Sequence, residues 1–235
     1  MSLIERNTPR NVHFELNPNP YAAGSVIANF GNTKVHITVT AEDSVPSWMR
    51  GSGTGWVSAE YSMLPSSTHS RVRRERSKVG GRTMEIQRLI GRSLRSIVDM
   101  EKLGEMSLMV DCDVLVADGG TRTTSISGAY VALKIAIDKL MAEGKLSESP
   151  LIEGLAAISV GINKAGKIIA DLNYEEDSSC DTDMNIVMTE SGKFIEVQGT
   201  AEGQPFSEEQ MQALLSCAKE SLKTVFSAQN SAFSS

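Results

Sequence analysis

Aromatic residues are scarce here, at 5% of 235 residues. A grip on nucleic acid would rest on charge more than on stacking. Cysteine is scarcer still: Cys112, Cys180 and Cys217 are odd in number and far apart. That spacing gives neither a zinc site nor a disulfide framework, and it points to a reducing, cytoplasmic setting. No apolar run is long enough to span a membrane, and the first residues lack a signal-peptide core. A net charge of −6 argues against a generic polyanion binder. The glycines of Gly51-Ser52-Gly53-Thr54-Gly55 are not followed by the Lys-Ser/Thr of a P-loop, nor do they meet the dinucleotide pattern. They read as a loop with unusual backbone angles. No serine, cysteine or histidine nucleophile has an evident partner. His36 and His69 read as packed or surface histidines. An attacking group would then come from solution, as water or inorganic phosphate.

The charge that is present is unevenly placed. Between Arg71 and Arg95 nine basic side chains stand against Glu75 and Glu85 only. The local charge is +7, which leaves −13 for the rest of the chain. One basic segment on an acidic body has the form of a focused anion site.

The stretch from Asp118 to Leu140 organises the chain. Before it, Leu108, Val110, Cys112, Val114 and Val116 alternate like a strand. After it, Ala129, Ala132, Leu133, Ala136, Ile137 and Leu140 recur at helical spacing. Gly119, Gly120, Thr121, Arg122, Thr123, Thr124 and Ser125 therefore sit between a strand end and a helix start. A helix N-terminus offers unpaired N–H groups that favour an anion, and glycines allow close approach of backbone. Arg122 adds a fork-shaped donor suited to phosphate. The plainer alternative is a glycine turn before a capped helix, with Arg122 solvated.

Around this centre the pattern predicts a hairpin over residues 24–41 and a short strand at Val57–Tyr61. It predicts a mobile charged loop over 71–81 and a helix from Thr83 ended by Gly104. Arg82 stands at that helix start. Ile86, Ile90, Leu94 and Ile97 form its apolar stripe, and Arg88, Arg92 and Arg95 a solvated basic face. Strands follow at Leu155–Ile162, Lys167–Leu172, Met184–Thr189 and Phe194–Gln198. Ser207 and Gln210 form a capping box opening a helix to about Phe226. The expectation is one α/β (α+β) domain over residues 1–235, with mixed sheets packed on helices. Residues 1–20 look irregular and 228–235 frayed.

Glu175, Glu176, Asp177, Asp181 and Asp183 crowd into nine residues. Such like charge costs stability unless it is solvated or neutralised by a cation. Asp177 and Asp183 flank a bend between probable strands, and two carboxylates with waters and a substrate phosphate suit magnesium. A solvated acidic loop is the alternative. An anion cradle, metal ligands and an electropositive track together make the parts of a phosphoryl-transfer site.

These same residues carry a resemblance. The blocks Gly51–Pro65, Gly81–Arg92, Asp111–Thr123, Asp171–Asn185 and Glu196–Thr200, in this order and spacing, resemble the ribonuclease PH family. Similarity runs from about Gly24 to the final helix. The resemblance implies a fold of the ribosomal-protein-S5-domain-2 type and a homohexameric ring built as a trimer of dimers. It implies a phosphorolytic 3′-to-5′ exoribonuclease that trims the 3′ ends of precursor tRNA with inorganic phosphate and releases nucleoside diphosphates. Residue by residue, it places phosphate on Arg82, Gly120, Thr121 and Arg122, and Mg2+ with the catalytic carboxylates on Asp177 and Asp183. RNA would be guided by Arg71, Arg73, Arg74 and Arg76. The chain departs from the family in its short start, where only Pro9-Arg10 matches, in a shortened loop between Arg74 and Gly81, and in Ser66-Ser67 where a basic residue is common. Two other readings stay open: a non-catalytic RNA-binding subunit of an exosome-like ring, and a magnesium-dependent hydrolase using water.

Overall fold

A hairpin stands at the middle of the first of two sheets. In a computed structural model that describes residues 3–76 and 78–234, its strands are β3 (Gly24–Phe30) and β4 (Thr33–Glu42). Gly31 makes the turn between them at φ +56°, a conformation open to glycine. On β4, Val35, Ile37 and Val39 are fully buried while Lys34 and Thr40 are exposed, as the alternation predicts. β5 (Trp56–Met63) and β6 (Ser107–Val116) complete this sheet with β2 (Val12–Leu16), in the order β2-β3-β4-β6-β5. β5 runs parallel to β6, and the other pairs are antiparallel.

The second sheet contains β1 (Ile4–Arg6), β7 (Leu155–Ile162), β8 (Ile168–Ala170), β9 (Thr182–Thr189) and β10 (Phe194–Ala201). Its order is β1-β8-β7-β9-β10. The first twenty residues are thus less irregular than their pattern suggests, since they supply one edge strand to each sheet. β1 and β2 are short and take their order from pairing with β8 and β3, which no local period reveals.

Two long helices lie between the sheets. α3 (Thr121–Ala142) packs on β3 and β4 of one sheet and on β7 of the other, and most of its residues are buried. A helix apolar on every side belongs in a core. It comes close at two glycines: a Cβ on Gly24 of β3 would lie 2.2 Å from the Ala132 carbonyl, and one on Gly128 would lie 2.5 Å from Ile37 and 2.7 Å from Ala28. α5 (Glu208–Phe233) packs on β7, β8 and β2. It opens with the expected Ser207–Gln210 capping box but runs on through the residues expected to fray. Gln229 explains the extension: its side chain is buried and donates to the carbonyls of Ser127 and Leu155 at 2.9 and 3.0 Å. Those bonds hold the last turns of α5 against α3 and β7.

The remaining helices place functional side chains. α1 (Gly81–Arg95) packs on β5 and α3 through Ile86, Ile90 and Leu94, all fully buried. It stops at Arg95 rather than continuing to Gly104. Val98 instead bridges to Leu151, and Asp99 caps a separate short helix, α2 (Met100–Leu103), that Gly104 ends at φ +65°. The basic face of α1 is more anchored than expected. Arg95 stacks 4.5 Å from the Trp56 ring and donates to the Val57 carbonyl, and Arg92 lies 3.6 Å from Glu196. The acidic stretch is a helix, α4 (Tyr174–Ser179), not a plain bend. Asn173 and Glu176 cap it reciprocally, the same signal as at Ser207. Among the described residues no helix is long and apolar enough to cross a membrane.

Candidate active site

The Asp118–Arg122 turn is built by residues far from it in sequence. Gly119 and Gly120 have φ of +74° and +64°. A Cβ on Gly119 would lie 2.3 Å from the Leu172 carbonyl and 2.5 Å from Asn173, so only glycine lets the turn press against the segment that leads into α4. The Thr33 hydroxyl donates to the Gly119 carbonyl at 2.6 Å and accepts from the Asp118 amide at 3.0 Å. Arg10 donates to the Asp118 carbonyl at 2.6 Å while also gripping Asp171, the residue before Leu172. Gly120 is the N-cap of α3 in a left-handed conformation and, among the described residues, no side chain caps the helix. Its first-turn amides therefore keep the anion-favouring character of a helix start.

Five of the expected side chains, Arg82, Thr121, Arg122, Asp177 and Asp183, meet at this helix start. Thr121 is held by Tyr61, whose phenol donates to its Oγ1 at 2.9 Å. Burial pushes the Tyr61 phenol up, while its bond to Thr121 and the charges of Arg82 and Arg122 pull the other way. Arg82, second residue of α1, is exposed and faces the same space. Asp177, on α4, keeps access to solvent, yet surrounding protein and the Asp183 carboxylate push its pKa up, and Arg82 and Arg122 oppose this. Burial and then Glu202 push the Asp183 carboxyl up as well, with Arg122 opposing. Two guanidiniums and two crowded carboxylates therefore share one field. The acidic cluster is otherwise dispersed: Glu176 pairs with Arg6 and Asp181 with Lys164.

Arg122 also has partners that were not expected. Its Nη1 donates to Glu85 Oε1 at 3.1 Å and to Gln198 Oε1 at 3.0 Å, and Gln198 Nε2 donates to Glu85 Oε1 at 3.2 Å. Tyr61, Glu85, Gln198 and Glu202, together with Arg10 and Asp171, are the neighbours the sequence did not single out. Glu85 had a signal, since it lies one helical turn from Arg82 on the same face. Gln198 had only its place in the matching block Glu196–Thr200, and Glu202 had none, because β10 meets the site through its register with β9, where Thr200 lies opposite Asp183.

Arg71, Arg73, Arg74 and Arg76 are exposed on the irregular segment that leads to α1 and Arg82. His69 is exposed too, and lines an open groove of about 1140 Å3 with Lys34, Asp118 and Tyr174, on the rim of the same turn.

Two oxygen ligands suit magnesium, which is held through one or two carboxylates and completes its shell with water and substrate phosphate. Asp177 and Asp183 have that chemistry, and the upward push on both carboxyls is what a cation would relieve. Among the described residues there is no cage of three or more His, Cys, Asp or Glu ligands.

Residues 8–137 match the family model described as 3′ exoribonuclease family, domain 1, and residues 155–221 match domain 2 of the same family. The fold is similar to rice (Oryza sativa) Rrp46, with a TM-score of 0.81, 18% identity and 98% of each chain covered. It is also similar to a chain of the Archaeoglobus fulgidus exosome with RNA bound to the active site. There the TM-score is 0.78, the identity 20%, and 94% of this chain and 89% of that one are covered.

Proposed function

The chain belongs to the 3′ exoribonuclease family of ribonuclease PH and the exosome PH-like subunits, and from that premise we propose that it is itself a phosphate-dependent 3′-to-5′ exoribonuclease. The reaction transfers the terminal nucleotide of RNA to inorganic phosphate and releases a nucleoside diphosphate. The 3′ end of precursor tRNA is the proposed substrate, and a homohexamer in the cytoplasm the proposed working form. The observation that carries the reading is the field shared by Arg82, Arg122, Asp177 and Asp183 at the open start of α3.

Each residue has a task in this chemistry. Free phosphate is a poor nucleophile and is repelled by a phosphodiester. Arg82, Arg122 and the amides after Gly120 would hold it in line and offset that repulsion. Thr121, fixed by Tyr61, sets the first turn in place. Asp177 and Asp183 would hold Mg2+, which supplies charge stabilisation for the scissile phosphate and the leaving 3′ oxygen. Arg71, Arg73, Arg74 and Arg76 would guide the RNA backbone to Arg82 by charge. Together these groups position reactants and stabilise charge, which is most of what phosphoryl transfer asks of a protein.

The second reading, a non-catalytic ring subunit, is favoured by the likeness to exosome chains. A purely architectural subunit has no need of both a guanidinium pair and a carboxylate pair on one cleft, which favours the enzyme. Product analysis decides. Incubation with single-stranded RNA, Mg2+ and phosphate should yield nucleoside diphosphates, with no degradation when phosphate is omitted. Monophosphates would make the protein a hydrolase, and intact RNA would make it a binding subunit.

A further inference from the structure

The hydrogen bonds around Arg122 form a closed ring that joins three separate elements. Glu85 comes from α1, Arg122 from α3 and Gln198 from β10. The carboxylate and the amide oxygen both accept a hydrogen bond from one nitrogen, Nη1, and the Gln198 amide closes the ring by donating to Glu85. A guanidinium has a second edge, formed by Nε and Nη2, and a planar fork held at Nη1 has its other edge fixed in direction. The elements joined are also those that carry or flank the remaining site residues. α1 carries Arg82 three residues before Glu85, and β10 pairs with β9, which carries Asp183.

We propose that Glu85 and Gln198 are positioning residues: they clasp Arg122 at Nη1 so that its opposite edge faces the attacking phosphate, at a set separation from Arg82. This rests on the reading of Arg82 and Arg122 as phosphate ligands. Neither residue touches phosphate in this arrangement. The clasp removes the rotamer freedom that a long side chain would otherwise lose on binding the anion. It also requires one carboxylate and one amide. Two carboxylates would repel each other and over-neutralise Arg122, and two amides would leave it without a charged anchor.

The opposite role is equally definite in its consequences. If Glu85 were a resident competitor occupying Arg122 until phosphate displaced it, removing its charge would tighten phosphate binding. The test is steady-state phosphorolysis with varied inorganic phosphate, and calorimetric binding of phosphate alone. Both are applied to the full chain, to Glu85→Gln, to Gln198→Glu, and to the double variant that exchanges the two groups. Each single variant is expected to raise the phosphate KM about tenfold with kcat within about threefold, the scale of one charge-assisted hydrogen bond. The exchange variant restores one carboxylate and one amide on Nη1, and its phosphate KM is expected to return to within about threefold of the parent. A merely structural role would not give that rescue. An unchanged or lowered phosphate KM in Glu85→Gln, or no recovery in the exchange variant, overturns the clasp while leaving phosphorolysis standing. A parent chain that neither binds nor uses phosphate overturns both.

Discussion

The guanidinium of Arg10 meets the carboxylate of Asp171 edge to edge, Nε to Oδ2 at 2.9 Å and Nη2 to Oδ1 at 2.8 Å, with Asp171 fully buried. Asp171 also accepts from the Arg10 backbone amide and sits at φ +53°. The pair ties the short N-terminal segment to the loop before α4, and Arg10 reaches on to the Asp118 carbonyl. Arg10→Ala leaves a buried carboxylate without its partner, which typically costs about 3–5 kcal/mol. Chemical denaturation should show that loss, and activity should fall with it because the Asp118–Arg122 turn loses its brace.

Gly119→Ala should be as damaging from a single methyl group. The φ of +74° strains any L side chain, and the added carbon would lie 2.3 Å from the Leu172 carbonyl. Strain alone is on the order of 1–3 kcal/mol, and backbone cannot yield as a flexible side chain can. The expected result is a lower Tm together with loss of RNA degradation. A variant with parental Tm and activity would show that the turn and the α4 segment are not pressed together.

The two site carboxylates make a prediction about pH. Both Asp177 and Asp183 are pushed above the ordinary value of 3.8, first by burial, then by Asp183 and by Glu202 respectively. The unfolded chain therefore ionises at lower pH than the folded one. As pH rises from about 3.8 through the folded-state values, these groups subtract stability. Asp183→Asn should raise Tm near neutral pH, with the difference vanishing below the ordinary aspartate range. Mg2+ should raise the Tm of the parent at neutral pH and leave Asp183→Asn unmoved, as differential scanning calorimetry can test.

Phosphate and metal roles should separate kinetically. Arg122→Ala is expected to raise the phosphate KM by at least about tenfold, since a charged donor to the anion is removed. Asp183→Ala is expected to reduce kcat by at least about a hundredfold with little change in RNA binding. A normal phosphate-dependent rate in either variant would remove that residue from the site.

RNA affinity should report on the exposed arginines. Replacing Arg71, Arg73, Arg74 and Arg76 by alanine should flatten the dependence of log affinity on log salt. The slope should fall by about 0.7 for each single-strand phosphate that one of these arginines had neutralised. Filter binding at several salt concentrations measures it. An unchanged slope would mean that these side chains do not meet phosphates.

Much of this site was legible because its signals are local. The strand β6, the glycine turn and the buried helix α3 follow one another within one stretch of chain, and their periods differ. Arg82 at a helix start was readable from the stripe that Ile86, Ile90 and Leu94 make. The end of α1 was not, because the bridge from Val98 to Leu151 that interrupts the helix joins residues 53 apart. The α4 helix was present in the sequence as Asn173 and Glu176, but the four other carboxylates crowded around Glu176 hid that cap.

Local patterning by itself determined the hairpin, the strand–turn–helix centre, the capped α5 and the uneven charge. Each depends on the period or the chemistry of nearby residues, which a chain carries whether folded or not. Only the tertiary structure decided that Arg10 braces the glycine turn, that Tyr61 fixes Thr121, and that Glu85 and Gln198 clasp Arg122. Those contacts come from elements that meet through sheet register and helix packing. Their partners lie from 37 to 108 residues apart, where no sequence period reaches.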